Sequence, residues 1–252
     1  MEEPAVIIQP EEEEKLKIED LKKTFSDSWQ PKTGLGKMVK AGQITDIDQL
    51  LDSGGKVLEA EIVDALMPNL AAELMMIGQA KGKFGGGQRR VFKQTQKKTA
   101  EGNKPSFSTC VVVGNKDGYV GIGYGKSRET VPAREKAIRN AKLNIMKIRR
   151  GCGSWQCGCK EPHSIPFKIK GKCGSVEIIL MPAPKGTGLV VQKEVQKILA
   201  VAGIRDVWST TIGQTRTTNN LIKACEGSLR KLLSTKVPHK YLESLGSVEG
   251  RK

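Results

Sequence analysis

The chain has no long apolar run and few aromatic residues. No stretch approaches the ~20 consecutive apolar residues that span a bilayer, so the sequence excludes a membrane-spanning protein. The first residues are acidic and lack the basic and apolar regions of a signal peptide, which leads us to expect a cytoplasmic protein. Because aromatic residues make up only 4% of the chain, its cores must be built from Val, Ile, Leu and Ala.

Arginine is missing before Arg89, and the two parts of the chain carry opposite charge. Through Ala80 there are 8 Lys, no Arg and 16 Asp or Glu, a net charge of −8, whereas the rest has 34 basic and 11 acidic residues, a net charge of +23. Such a basic segment attracts polyanions, above all nucleic acid, because neutralising phosphates releases condensed counterions. An anionic membrane is the poorer partner, since no strongly basic helix carries a bulky apolar face.

The pattern of residues 110–150 predicts a unit that binds an anionic partner and carries no catalytic groups. A β-branched run and a glycine-rich run, joined by a turn over 115–118, predict two strands, and a long basic helix follows. Glycines alternating with large residues over 119–124 bring the backbone close to a partner surface. Thr130 is the expected N-cap of the helix. The apolar side chains fall on one helical stripe, made of Val131, Ile138, Ala141, Ile145 and Ile148. The opposite face offers cations to an anion, namely Lys136, Arg139, Lys147 and Arg150.

Two basic features leave alternatives open. Arg134 falls on the apolar stripe, where it either snorkels from the first turn or is held for an RNA phosphate. The stretch 81–103 combines three consecutive glycines with many Lys and Arg residues. It is either a solvated basic loop or a segment that orders against phosphates, and the basic helix beside it favours RNA contact.

The pattern of helices, strands and turns predicts an α+β protein in six segments. They are an acidic disordered tail (1–25), a mostly helical extension without strands (26–80), a sheet-and-helix domain (81–150), a cysteine-rich linker (151–163), a second domain of order β-β-α-β-α (164–235) and a tail (236–252). Within the extension, short helices are expected over 46–51 and 59–66.

Several long motifs resemble, in the same order, those of the universal small-subunit ribosomal protein of the S-five family. They read GNKDGYVGIGYGKSRETVPAREKAIRNAKLNI, GSVEIILMPAPKGTGL and VAGIRDVWSTTIGQTRTTNNLIKA, and the match covers roughly 80–233. The segments WQPKTGLGKMVKAGQITDIDQLL and RRGCGSWQCGCKEPHSIPF resemble archaeal members. The resemblance implies a first domain of double-stranded-RNA-binding type and a second domain with the family's own β-α topology.

The resemblance also implies a structural constituent of the small ribosomal subunit, bound to its ribosomal RNA between body and head. The implied protein neighbours belong to the S-four and S-eight families, and messenger RNA passes nearby. Family members contribute to subunit assembly and translational accuracy, and they require no cofactor, membrane or small-molecule substrate. The family's short basic loop is longer here, over 94–103.

The resemblance and the basic helix face together assign roles to particular residues. RNA contacts are expected at Arg89, Arg90, Lys97, Lys98, Lys126, Arg128, Arg134, Arg139, Arg149, Arg150, Lys172, Lys185 and Arg216. An interface with the S-four protein is expected at Gly121, Gly123, Gly125 and Arg128.

Four of the six cysteines lie close together in the sequence, with a histidine nearby. Cys152, Cys157, Cys159 and His163 offer three sulfurs and an imidazole, the ligand set of a structural zinc ion. A cytoplasmic chain rarely holds such thiols as disulfides, so metal binding is the usual alternative. The spacing differs from that of a standard finger, because a single residue separates the second and third cysteines. Cys173 could replace the histidine as fourth ligand, and the histidine could instead serve RNA or the fold without any metal.

Enzymatic interpretations fail on spacing. The glycines before Lys126 do not fit the phosphate-loop pattern G-x-x-x-x-G-K-[ST]. The loop 182–188 precedes a helix as in some small-molecule kinases, but no carboxylate set for Mg²⁺ follows it. A zinc deaminase needs H-x-E before P-C-x-x-C, and the order here is reversed. The remaining alternative is a free RNA-binding regulator, whose basic domains would have the same sequence features.

Overall fold

The computed structural model describes residues 29–80, 82 and 89–251. The predicted acidic tail over 1–25 and the triple glycine of the basic stretch lie outside the described residues. The chain divides into two compact units, with the boundary between Asn69 and Leu70. No helix in the described ranges is long and apolar enough to cross a bilayer.

The first unit contains three short helices. They are α1 (Gly34–Lys40), α2 (Ile47–Asp52) and α3 (Ala60–Leu66). Thr33 caps α1, because its hydroxyl accepts a hydrogen bond from the Gly36 N–H at 3.1 Å. Glu59 precedes α3 and joins the unit's segments by accepting hydrogen bonds from the Trp29 indole and from the backbone N–H groups of Lys32 and Thr33, at 2.6–2.9 Å. Burial acts to raise the pKa of Glu59, but these hydrogen bonds outweigh it and leave the pKa lowered.

The second unit opens with an antiparallel sheet. Its strands are β1 (Ala71–Leu74), β2 (Lys93–Thr99), β3 (Gly102–Gly114), β4 (Tyr119–Ser127) and β5 (Ile145–Lys147), in the order β1-β3-β4-β5, with β2 paired to β3. The strands predicted around 110–124 and their connecting turn are confirmed. Two predictions were wrong: the extension contains β1, and the stretch 94–103 is not a loop but a β-hairpin, in which Lys93 lies opposite Ser108.

Helix α4 (Thr130–Leu143) packs on this sheet through alanines. Ala133, Ala137 and Ala141 are fully buried, and a Cβ on Gly121, Gly123 or Gly125 of β4 would overlap their backbone. Large residues cannot fit at so close an approach, so the predicted apolar stripe is only partly right, with Ala141 buried and Ile138 packed at its edge. Val131 is 61% exposed, Arg134 is exposed, and the helix ends before Ile145 and Ile148. The residue at the N-cap is Glu129, not Thr130.

A second sheet and two helices complete the unit. The strands are β7 (Ile169–Cys173), β8 (Val176–Pro182), β9 (Leu189–Val190) and β10 (Val207–Ile212), in the order β7-β8-β10-β9, and the helices are α5 (Lys193–Val201) and α6 (Thr218–Ser234). Strand β9, which the sequence analysis missed, runs parallel to β10. Gly203, at φ +83°, follows the C-cap Ala202 and ends α5.

The two predicted domains share one hydrophobic core. Val112 and Ile122 of the first sheet, Ile178 of the second and Ile198 of α5 belong to a single buried cluster. Alternate residues of β3 point the other way, so that Val111 contributes to a smaller cluster under α4. The two domains therefore do not have separate cores, since α5 packs against the first sheet as well as against α6.

The residues predicted as a tail fold back onto the unit as far as residue 251. They form α7 (His239–Ser244) and β11 (Val248–Glu249), and β11 pairs antiparallel with β6 (Arg149–Arg150). Arg149 donates to the Glu249 carboxylate at 2.8 Å and to the Thr235 carbonyl at 2.9 Å. Arg150 donates to Asp117 at 2.6 Å and to the Gly250 carbonyl at 3.1 Å. The end of the chain thus covers two of the arginines predicted to face RNA.

Candidate metal centre and RNA-binding surface

Three cysteines and a histidine converge at one point of the second unit. The ligand atoms of Cys152, Cys157, Cys159 and His163 all lie within 4.8 Å of one another. Cys157 Sγ is 3.9 Å from His163 Nε2. A tetrahedral zinc ion, with bonds of roughly 2.3 Å to sulfur and 2.0–2.1 Å to nitrogen, holds its ligand atoms roughly 3.5–4 Å apart. The four groups therefore fit a zinc ion with only small movements.

Backbone pairing explains why these residues meet. Gly151 and Ser164 form an antiparallel bridge with N–H···O distances of 2.9 and 3.1 Å, which closes the segment between them into a loop. Within the loop, Cys157 N donates to Ser154 O at 3.2 Å and forms a tight turn. Lys160 adopts a positive φ of 54° and redirects the chain toward the histidine. The predicted cysteine-rich linker is thus a loop closed between Gly151 and Ser164, which we call the knuckle.

Asp206 orients the histidine from outside the ligand set. His163 Nδ1 lies 2.8 Å from Asp206 Oδ2, and both side chains are buried. Asp206 Oδ1 also accepts from the backbone N–H groups of Gly186 at 3.1 Å and Gly188 at 2.8 Å. With Nδ1 donating to the carboxylate, Nε2 is free to bind a metal, the arrangement typical of zinc-bound histidines. The sequence analysis missed Asp206, because it lies 43 residues beyond His163 and belongs to no recognisable spacing.

The local electrostatics favour a thiolate at one ligand. Backbone N–H groups of Lys185 and Cys159 donate to Cys157 and lower its pKa to about 6, whereas burial raises the pKa of Cys152 to about 11. The thiolate is the form of cysteine that binds metals, so Cys157 is prepared for this role. Lys185 also pairs with Glu161 at 2.7 Å, which raises the pKa of the lysine.

The other cysteines stand apart from the knuckle. Cys173, the alternative fourth ligand, lies on β7 opposite Val176 and is not among the four residues that cluster in the described part of the chain. Cys110 and Cys225 are fully buried, and burial raises the pKa of each to about 12. They are core thiols.

Most residues predicted to contact RNA present their side chains to solvent. The exposed ones are Arg90, Lys97, Lys98, Lys126, Arg128, Arg134, Arg139, Lys172, Lys185 and Arg216. Lys172 lies 3.2 Å from Glu177, and Lys185 is paired with Glu161, so these two cations are partly neutralised. Arg89 is half-buried and donates to the Thr218 hydroxyl at the start of α6.

Three groups of predicted site residues are engaged inside the protein. Arg149 and Arg150 are only 7% and 5% exposed and hold the end of the chain, so they do not offer their charge to a polyanion. Lys147, predicted on the cationic helix face, is buried in β5. The predicted interface glycines of β4 pack against α4 of their own chain, which is the partner surface that their alternation indicated.

The β2–β3 hairpin forms the most basic exposed element. Lys93, Lys97 and Lys98 of β2 are exposed, and so is Lys104 of β3. Lys104 pairs with Glu101 at 2.7 Å. The three lysines of β2 therefore contribute most of the positive charge of the hairpin. Lys93 and Lys104 were not singled out in the sequence, because a presumed loop gives no reason to select one lysine over another.

Comparison with known proteins identifies the family. Models of the ribosomal protein S5 N-terminal domain and of its C-terminal domain match residues 88–149 and 171–239. A small ribosomal subunit protein uS5 of Nanoarchaeum equitans is 48% identical over 224 residues, covering 89% of this chain and 96% of the relative. That of Methanocaldococcus jannaschii is 48% identical over 225 residues, covering 89% and 97%. The archaeal resemblance in the sequence is confirmed, and the chain belongs to the ribosomal protein S5 family.

Proposed function

We propose that this chain is a non-catalytic, structural constituent of the small ribosomal subunit that binds the ribosomal RNA in the cytoplasm. The observation that carries the proposal is the array of exposed cations on a single rigid core, in a chain that belongs to the S5 family. Binding uses Lys and Arg to neutralise phosphates, while the shared core fixes the spacing between them.

The first sheet and α4 form the main RNA-binding element of this proposal. The lysines of the β2–β3 hairpin and the exposed Arg134 and Arg139 of α4 face solvent together with Lys126 and Arg128 at the end of β4. The resemblance to double-stranded-RNA-binding domains supports this assignment, since such domains recognise a duplex by its shape and phosphates. Arg149 and Arg150 are left out of the proposed contacts because their side chains are covered.

The position in the subunit is a further part of the proposal. We place the chain beside proteins of the S-four and S-eight families, near decoding and the path of the messenger RNA, with an influence on accuracy and assembly. Among the predicted interface residues only Arg128 presents a side chain to a neighbour, since the glycines are covered by α4. An effect on accuracy would then be mechanical, through contacts that change as the subunit changes shape.

The RNA proposal is tested by binding of the full-length chain to small-subunit ribosomal RNA over a range of salt concentrations. Each neutralised phosphate contributes a slope of roughly −0.7 to −0.9 in log K against log salt. A slope equivalent to several phosphates is expected. Affinity that does not change with salt would contradict the phosphate contacts, and no affinity at all would contradict RNA binding.

A structural zinc ion in the knuckle is the second part of the proposal. Cys152, Cys157, Cys159 and His163 would hold the ion, and Asp206 would keep the imidazole in the required tautomer. When bound, the ion would cross-link the two ends of the knuckle, replacing the core that so short a segment cannot build.

Zinc content of the purified protein tests this site, with Cys173 providing a matched control. One zinc ion per chain is expected in the parent protein and in Cys173→Ser, and much less in Cys157→Ser. A parent protein that neither contains zinc nor takes it up when supplied would refute the site. Loss of zinc in the Cys173 variant would instead show that the fourth ligand was assigned wrongly.

A further inference from the structure

Trp155 is the most exposed large apolar side chain in the described part of the chain, at 89%. It stands at the tip of the knuckle, in the turn from Ser154 to Cys157. We propose that Trp155 is a stacking platform for an unpaired base of RNA. This inference rests on the proposed RNA binding and adds to it a site that reads a base where the lysines and arginines read phosphates.

The turn anchors the backbone that carries the indole. Cys157 N donates to Ser154 O at 3.2 Å, and Gln156 N donates to the buried Ser154 hydroxyl at 3.3 Å. At the base of the turn, Gly153 N donates to Ile165 O at 3.2 Å, and a Cβ on Gly153 would overlap the carbonyl of Pro166. The backbone on both sides of Trp155 is therefore anchored, so the residue is held at the surface while its side-chain torsions stay free.

The other two tryptophans of the chain are less exposed than Trp155. Trp29 and Trp208 are both half-buried, and the Trp29 indole donates to Glu59. A tryptophan held in water on a rigid turn leaves a large apolar ring uncovered, which marks a surface that a partner covers. Because the backbone beneath the ring is already ordered, a partner that stacks on it loses entropy only by fixing the torsions of one side chain.

The surroundings favour a nucleic acid base over a protein pocket. Ser154, Gln156 and Gly158 flank the ring, and the turn carries no second large apolar side chain that could extend an apolar interface. Lys160 and Lys185 are exposed cations on the knuckle and on the loop that bonds to it, within the segment of net charge +23. An exposed aromatic face on a basic surface is the arrangement by which proteins hold unpaired bases of RNA.

The test uses the full-length chain with Trp155 as the only tryptophan, obtained by Trp29→Phe and Trp208→Phe. The probe is small-subunit ribosomal RNA purified from subunits of the same organism, and binding is followed independently with labelled RNA. RNA is expected to quench the emission of Trp155 and to shield it from acrylamide. In the parent background, Trp155→Ala is expected to weaken binding about 5- to 150-fold, and Trp155→Phe should restore part of the affinity. Ile212→Ala, which truncates another exposed apolar residue, should leave affinity unchanged.

The outcomes separate this inference from the function on which it rests. If RNA binds with salt-dependent affinity but leaves the emission of Trp155 and the affinity of Trp155→Ala unchanged, the stacking site is refuted and RNA binding stands. If the ring is shielded in whole subunits but not by purified ribosomal RNA, it belongs to a protein contact, which also refutes the inference. If the single-tryptophan and parent proteins both fail to bind RNA, the proposed function falls as well.

Discussion

At the scale of single residues, close packing depends on the smallest side chains of the chain. Gly121, Gly123 and Gly125 allow α4 to approach β4 until backbone meets backbone, with the buried alanines of α4 facing the glycines. Such a contact gains dispersion energy along its whole length, but it has no space for an added methyl group.

Replacing Gly123 by Ala is expected to destabilise the protein by about 2–3 kcal/mol, because a Cβ there would overlap the Ala137 carbonyl and the Ala141 backbone. Gly227 provides the control, since it lies within α6 and no atom comes within 4 Å of an added Cβ. There the change to Ala should stabilise the protein by about 0.5–1 kcal/mol through helix propensity. Denaturant unfolding measures the free energy of unfolding of both variants. Equal stability of the two variants would contradict the packing account.

Asp206 is a second residue on which a local structure depends, because its carboxylate orients His163 and binds two backbone amides. Asn has one acceptor oxygen where the carboxylate has two, so in Asp206→Asn either His163 or the amides of Gly186 and Gly188 lose their acceptor. We expect zinc affinity to fall about 10- to 100-fold, measured by competition with a chromophoric chelator. Glu177→Gln, at a carboxylate paired with Lys170 and Lys172, should not change it. Unchanged affinity in Asp206→Asn would show that Asp206 does not support the site.

At the scale of elements, the β2–β3 hairpin carries the most exposed positive charge. Its strands pair from Lys93 opposite Ser108 to Thr99 opposite Gly102, so the lysines are held at regular spacing on a ladder. A ladder presents charges to a phosphate backbone with less loss of conformational entropy than a flexible loop would require.

The double variant Lys97→Gln and Lys98→Gln is expected to weaken binding to small-subunit ribosomal RNA and to reduce the slope of log K against log salt by roughly 1.4–1.8, since each lost phosphate contact removes 0.7–0.9. Lys170→Gln is the control, because this lysine already pairs with Glu177 at 2.5 Å. A slope that is unchanged in the double variant would remove the hairpin from the proposed contacts.

Comparison with the sequence analysis shows which elements a pattern can predict. The strands and turn around 110–124 were predictable because β-branched runs and turn residues act locally. The buried face of α4 was not predicted, because its alanines are small and the larger apolar residues of the helix indicated a different face. The four knuckle residues followed from ligand chemistry, whereas Asp206 and the covering of Arg149 depend on contacts across 43 and 100 residues.

At the scale of the whole molecule, the change in the sign of the charge and the boundary between the compact units fall at different positions in the chain. Charge changes sign near Ala80, and the compact units separate between Asn69 and Leu70. Beyond that point both S5 domains share one core, and β11 closes the unit by pairing with β6. The basic unit is therefore a rigid body, which suits a protein that holds folded RNA in place better than one that moves between RNA targets.

The most direct test of residence on the ribosome is sedimentation of a native cell lysate on a sucrose gradient, with each fraction probed for this chain before and after a high-salt wash. A structural constituent is expected in the small-subunit fractions at one copy per subunit, and it should stay there after the wash because many simultaneous contacts hold it even when salt weakens each of them. A chain found mainly in the top fractions, or released into them by salt, would contradict the account and indicate a free RNA-binding regulator.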